Sequence, residues 1–209
     1  MASRFTKGNC VERAFLNNAN LSPNFIGSWS LKPPEICDEI VKYFELNTDK
    51  QKKGRTGGGL NQNIKKSVDI NIIPSDIKLT ENKIFKEYLN ILLVCYKDYL
   101  VQWPYLTSFA NQLEIGTFNI QRYHAGEHFQ QVHSERTSIA TLNRIFAWMT
   151  YLNDVEDGGT TYFTHYDLEI KPKKGLTLIW PAEWTHAHRG NVIHSGSKYI
   201  ITGWMDLSI

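Results

Sequence analysis

Four residues in the second half of the chain carry side chains that can do chemistry together: His133 and Glu135, then His188, then Lys198. Two imidazoles and a carboxylate make the donor set of a non-haem Fe(II) centre, which needs three ligands on one side and open positions on the other. His133 and Glu135 are two residues apart, the spacing that puts both side chains on one face of a β-strand. Lys198 follows His188 by ten residues, at the head of the apolar stretch Lys-Tyr-Ile-Ile-Thr-Gly-Trp. Alternation along that stretch puts Lys198, Ile200, Thr202 and Trp204 on one face. An ammonium enclosed beside Ile and Trp needs an anionic partner, and a cofactor carboxylate supplies one. Thr202 would add a hydroxyl to the same carboxylate. No member of the set is specific by itself, but the ordered set suggests an oxygenase rather than a bare metal-binding protein.

These residues need strands to bring them together. From about Leu113 onward, short β-branched and aromatic segments are separated by Gly, Asn, Asp and Pro: 118–124, 144–153, 160–163, 176–180 and 198–207. Turn signals fill the gaps at Asn153 to Gly159 and Pro172 to Gly175. This texture predicts a barrel or double-sheet roll, whose mouth collects ligands distant in sequence. The first half reads differently. Residues 1–33 are polar and irregular, running into Pro33-Pro34. A short amphipathic helix follows, with Ile36, Ile40, Val41 and Phe44 on one side. Residues 50–59 (KQKKGRTGGG) form a basic, glycine-rich loop, either a solvated connection or a lid over substrate. It is not a phosphate-binding P-loop, because no Gly-Lys-Ser/Thr closes it. A long helix spans 80–102, with Thr80 placed to cap it. Ile84, Phe85, Tyr88, Leu89, Leu92, Tyr96, Tyr99 and Leu100 form a stripe that packs on a sheet.

The chain has 209 residues, 42% hydrophobic and 21% charged, enough for a full core without staples. The expectation is one domain over 1–209, with 1–110 as helical and irregular support and lid, and 111–209 as the catalytic core. A net charge of +2 provides no field for nucleic acid. Cys10, Cys37 and Cys95 are few and odd in number, which suits reduced thiols better than a disulfide framework. No apolar run approaches the ~20 residues that span a bilayer, and the N-terminus has no signal-peptide stretch. The expected protein is soluble and cytoplasmic, with no membrane partner.

The second half resembles the catalytic core of the prolyl 4-hydroxylase family of Fe(II)- and 2-oxoglutarate-dependent dioxygenases, in its compact bacterial or phage-like form. The resemblance runs from about 113 to 208. It rests on Gln121-x-Tyr123-x-x-Gly126-x-x-Phe129-x-x-x-His133-x-Glu135, then Tyr151-Leu152-Asn153-Asp154 with Gly158-Gly159-x-Thr161-x-Phe163, then His188-x-Gly190-x-Val192 with Gly196-x-Lys198-Tyr199 and Trp204. It implies an α+β chain whose core is a double-stranded β-helix, or jelly roll, buttressed by N-terminal helices. Iron would be held by His133, Glu135 and His188, and the distal carboxylate of 2-oxoglutarate by Lys198. Tyr123 and Tyr151 would line the cofactor pocket. Ascorbate is a candidate reductant, and succinate and CO₂ the co-products.

The family usually has Asp where this chain has Glu135, one methylene longer with the same charge and donor. His186 competes with His188 as distal ligand, since both share a face if their strand is regular. His188 fits the H-x-G-x-V pattern and the ten-residue gap to Lys198, and is preferred. Arg144 and Trp204 are candidate substrate contacts. The resemblance makes a prolyl residue in a peptide or protein the expected substrate. Two other readings stand beside it: a cupin-like jelly roll that binds metal or ligand without oxidising it, and the same oxygenase acting on a free amino acid or nucleobase.

Overall fold

The computed structural model describes residues 11–14, 23–32, 34–79 and 82–207. Thr80, the expected cap of the long helix, and Cys10 lie outside the described residues. In chain order the elements are β1 (Val11–Arg13), β2 (Gly27–Leu31), α1 (Glu35–Leu46), β3 (Lys52–Lys53), β4 (Lys65–Lys66), β5 (Val68–Ile72) and α2 (Lys83–Gln102). Then follow β6 (Phe118–His124), β7 (His128–His133), β8 (Arg144–Tyr151), β9 (Thr161–Phe163), β10 (Leu168–Ile170), β11 (Leu176–Pro181), β12 (His188–Gly190) and β13 (Ser197–Asp206).

The strands form two antiparallel sheets. The larger has the order β1-β2-β11-β8-β13-β6-β5-β3, and the smaller β10-β9-β12-β7-β4. This is the jelly roll: strands alternate between two facing sheets, so residues far apart in sequence meet in the space between them. The larger sheet is covered on both faces, which is why β8, β11 and β13 read as nearly continuous apolar runs. Alternation sorts their side chains. Phe146, Trp148, Ile179, Ile201 and Met205 belong to a core shared with the helices. Ala147, Met149, Tyr151, Leu178, Trp180 and Ile200 belong to a second core inside the roll.

The helices seal the outer face. α2 buries Phe85, Tyr88, Leu92, Cys95, Tyr96 and Tyr99, and its rings meet the sheet edge-on or tilted: Phe85 with Phe118, Tyr88 with Trp148, Tyr99 with Phe146. Phe85 and Leu92 alone contribute roughly 1.5–3 kcal/mol each through burial. The Tyr88 hydroxyl bonds Thr150 Oγ1 at 2.7 Å, satisfying a polar group deep in the interface. α1 buries Cys37, Ile40 and Phe44. Cys37 and Cys95 are buried thiols outside any disulfide.

The expectation that 1–110 holds only helices and irregular support is corrected. Its described residues supply β1 and β2 to one edge of the larger sheet, β5 and β3 to the other, and β4 to the smaller sheet. Segments of two to five residues are too short for a period-2 signal, and lysines on edge strands read as loop. The KQKKGRTGGG stretch is likewise not a free loop throughout. Lys52 and Lys53 pair with Asp69 and Val68, and Thr56 bridges Gly59.

Candidate active site inside the jelly roll

His133 ends β7 and His188 begins β12, directly opposite each other in the ladder. Glu135 does not share a strand face with His133, contrary to the expectation from spacing. It sits in the bend after β7, where its backbone N–H donates to Ala182 O at 3.2 Å. That turn swings the carboxylate back, so that Glu135 Oε1 lies 3.8 Å from His133 Nε2 and 3.4 Å from His188 Nε2. The three ligand atoms fall within 4.8 Å of one another. Each imidazole uses its other nitrogen on the backbone: His133 Nδ1 on Gln131 O at 2.8 Å, His188 Nδ1 on His186 O at 2.9 Å. Those bonds fix the tautomer that leaves both Nε2 lone pairs aimed inward, the usual arrangement of metal-binding histidines.

The electrostatics agree with a cation site. Burial, helped by the neighbouring His188, pushes His133 down to about 4, so it stays neutral and able to ligate. Burial works against the Glu135 carboxylate, yet His188, His133 and the Trp204 indole together hold it down at about 2. Trp204 Nε1 donates to Glu135 Oε2 at 2.7 Å. Arg144 donates to the Glu135 backbone carbonyl at 3.0 Å and lies over the Trp204 ring at 3.6 Å. Arg144 and Trp204 thus meet the carboxylate ligand itself, a placement that alternation along one strand did not give.

His186 stands apart from this cluster. It sits in a short 3₁₀ turn, Trp184–His186, and not on a strand with His188. Its Nε2 engages Asn24 O at 2.9 Å and its Nδ1 the Thr185 hydroxyl at 3.0 Å.

Lys198 is 4% exposed. Its ammonium donates to Gly159 O at 2.7 Å and lies 4.9 Å from the centre of the Tyr123 ring. No described carboxylate pairs with it, and burial alone lowers its pKa to about 7. Gly158 and Gly159 take positive φ of 78° and 68°, and a Cβ at Gly158 would come within 2.2 Å of Val192 O. Only glycine lets this turn bring a carbonyl to Lys198. Tyr123 pairs with Lys198 across β6 and β13, and its hydroxyl donates to Gln121 Oε1 at 2.6 Å. Tyr151, fully buried, donates to Thr161 Oγ1 at 2.6 Å. Thr202 turns its hydroxyl onto Trp148 O at 2.8 Å. Its expected place beside the cofactor carboxylate is therefore taken by a backbone bond.

Donors and walls fit an iron with a dicarboxylate cofactor: a converging His-Glu-His set, a buried ammonium without its anion, and the Trp180 indole N–H buried without a partner. The Trp180 and His188 rings lie 5.2 Å apart, nearly perpendicular. The family comparison agrees with the geometry: residues 118–206 match the 2OG-Fe(II) oxygenase superfamily. That match covers less than half of the chain.

The chain is 28% identical over 74 residues to prolyl 4-hydroxylase subunit alpha-1 of Gallus gallus, 32% of this chain but 14% of that one. It thus spans a small part of the length of such relatives. Among solved structures it resembles in fold the viral collagen prolyl hydroxylase of Paramecium Bursaria Chlorella virus-1, determined as a 2OG complex. That likeness has a TM-score of 0.61 and 16% identity, covering 97% of this chain and 98% of that one. A prolyl hydroxylase of Trichoplax adhaerens, in complex with a hypoxia inducible factor peptide fragment, matches at TM-score 0.64 and 14% identity, covering 95% and 84%. The chain has no described helix long and apolar enough to cross a membrane.

Sequence reasoning missed four neighbours of the site. Phe129 stacks on the His133 ring, with centroids 3.9 Å apart and planes at 14°. Thr161 holds Tyr151. Lys65 and Asp69 form a buried ion pair at 2.7 Å. Phe129 and Thr161 stood in quoted motifs but carried no chemical signal. Lys65 sat in a lysine-rich run where burial could not be read.

Proposed function

We propose that this chain is a 2OG-Fe(II) oxygenase that hydroxylates a prolyl residue in a peptide or protein. Fe(II) would be held by His133, Glu135 and His188, and the distal carboxylate of 2-oxoglutarate by Lys198. With both bound, O₂ would be the oxidant: one of its oxygen atoms would go into succinate as 2-oxoglutarate loses CO₂, and the other into the hydroxylated C–H bond. The observation that carries the reading is Lys198: a buried cation without a described counter-charge, in the same interior as the three metal donors. A dicarboxylate neutralises it; a bare metal site would have no use for it. Tyr123 and Tyr151 wall that interior, their hydroxyls already held by Gln121 and Thr161, so they shape the pocket with little freedom to move.

The chain's other residues exclude water and orient groups. Phe129, Phe163 and Trp180 pack their rings against the two imidazoles. Arg144 and Trp204 stand at Glu135, and a guanidinium lying over an indole ring there suits a peptide better than a small polar metabolite. The viral structure, named a collagen prolyl hydroxylase, and the Trichoplax adhaerens enzyme, in complex with a peptide fragment, support the same choice.

The test is anaerobic titration with Fe(II) and 2-oxoglutarate, followed by O₂ and a panel of proline-containing peptides. The expected result is a visible charge-transfer band of the chelate, its loss on admitting O₂, and a peptide heavier by one oxygen. Turnover of the cofactor with free proline but no peptide would overturn the peptide assignment. Metal binding without the band would overturn the oxygenase reading of Lys198.

A further inference from the structure

The roll contains two buried lysines, and they differ in one respect. Lys65, on β4, has its counter-ion: Nζ lies 2.7 Å from Asp69 Oδ2, and both side chains are under 10% exposed. Ser67 donates to the other oxygen, Asp69 Oδ1, at 2.7 Å. Lys198 has only a carbonyl.

Both members of the pair face the interior that holds the site. Lys65 pairs across the ladder with Phe129, so the two share a face, and its ammonium is 5.7 Å from the Phe129 ring that stacks on His133. Asp69 pairs with Gln121, which accepts the Tyr123 hydroxyl, and the Tyr123 ring carries Lys198 against it. Asp69 is thus two strands from Lys198, through β6, and it is the anion that the Tyr123 hydroxyl feels most.

Resting on the cofactor reading above, we propose that Lys65 determines ligand charge specificity. By neutralising Asp69 it leaves Lys198, among the described residues, as the one uncompensated cation of the cofactor pocket, so the pocket selects a dianion. Without Lys65, Asp69 would be a bare carboxylate in the same interior, kept ionised by Lys198 and competing for it. The expected size follows from Coulomb's law. Two strand spacings are roughly 10 Å, and at an effective dielectric constant of about 20 one charge there changes the affinity for an anion by on the order of tenfold.

The experiment is a charge cycle read by binding rather than turnover: 2-oxoglutarate affinity from the anaerobic Fe(II) chelate band, with Fe(II) affinity and Tm in parallel. Lys65→Met should weaken 2-oxoglutarate about tenfold with little change in Fe(II) affinity. Asp69→Asn should leave it unchanged or tighten it, and the double variant should return near wild type. If Lys65→Met does not fold, Lys65→Gln keeps a donor to Asp69 without the charge and should shift affinity in the same direction. A pair that merely clamps the two sheets predicts another pattern, with both single variants weakening alike and no recovery in the double; that pattern, or no shift at all, overturns the proposal. Wild-type protein that forms no chelate would sink the cofactor reading itself, and this inference with it.

Discussion

Replacing Lys198 by methionine should make the ligand-free protein more stable while removing its cofactor site. The structure gives the size. Burial lowers the ammonium from 10.5 to about 7, which corresponds to on the order of 5 kcal/mol of penalty for holding a cation there. Methionine has a similar length and no charge, but it leaves Gly159 O without its donor, a loss of roughly 1–3 kcal/mol. The net gain is about 2–4 kcal/mol at neutral pH, or on the order of 10 °C in Tm for a chain of this size. The sign of the pH dependence is fixed. Because the folded-state value is depressed, the unfolded chain binds the extra proton between about pH 7 and pH 10.5. Wild-type stability should therefore rise through that window, and the penalty is full below about pH 7. The variant should lack that rise. The assay is thermal unfolding from pH 6 to 9, with and without 2-oxoglutarate. Wild type should gain about 3 kcal/mol at a hundredfold excess over Kd, and the variant nothing. A variant less stable than wild type at pH 7, or one still stabilised by 2-oxoglutarate, would refute the argument that Lys198 is a buried cation awaiting an anion.

Four further outcomes can be checked together. His133→Ala or His188→Ala should abolish Fe(II) binding in equilibrium titration, whereas Glu135→Asp should keep measurable activity, since donor and charge remain. Trp204→Phe removes the indole bond to Glu135 Oε2 and should weaken Fe(II) by about 10–100-fold at nearly unchanged Tm. His186→Gln should retain metal but lose on the order of 1 kcal/mol by chemical denaturation, because the part-buried Asn24 carbonyl loses its imidazole partner. Gly203→Ala puts a Cβ 2.6 Å from Trp148 Cζ2 and 2.7 Å from Phe118 Cβ. Its expected loss is about 1–3 kcal/mol by overpacking, with cofactor affinity unchanged.

What the sequence determined by itself was the inventory of the site and the class of the fold. His133, Glu135, His188 and Lys198 were legible because metal donors and a lysine heading an apolar strand are chemically conspicuous. The strands that carry them were legible because the larger sheet is buried on both faces and its segments stand out as apolar runs. The α2 stripe was legible because period 3.6 persists over twenty residues. Tertiary structure decided the rest. Spacing put Glu135 on a strand face, but a bend held by Ala182 O aims it; the bond joins residues far apart in the chain, and no local pattern encodes it. The separation of His186 from His188 depended on a 3₁₀ turn whose partner is Asn24. Thr202 had the right parity for the pocket, yet the nearest acceptor was a backbone carbonyl of β8. Edge strands as short as β3 and β4 gain stability only from neighbours supplied by other parts of the chain, so their lysines read as solvated loop. That Lys65 is buried and matched, while Lys198 is buried and unmatched, is a property of what the fold places beside each, and composition is blind to it.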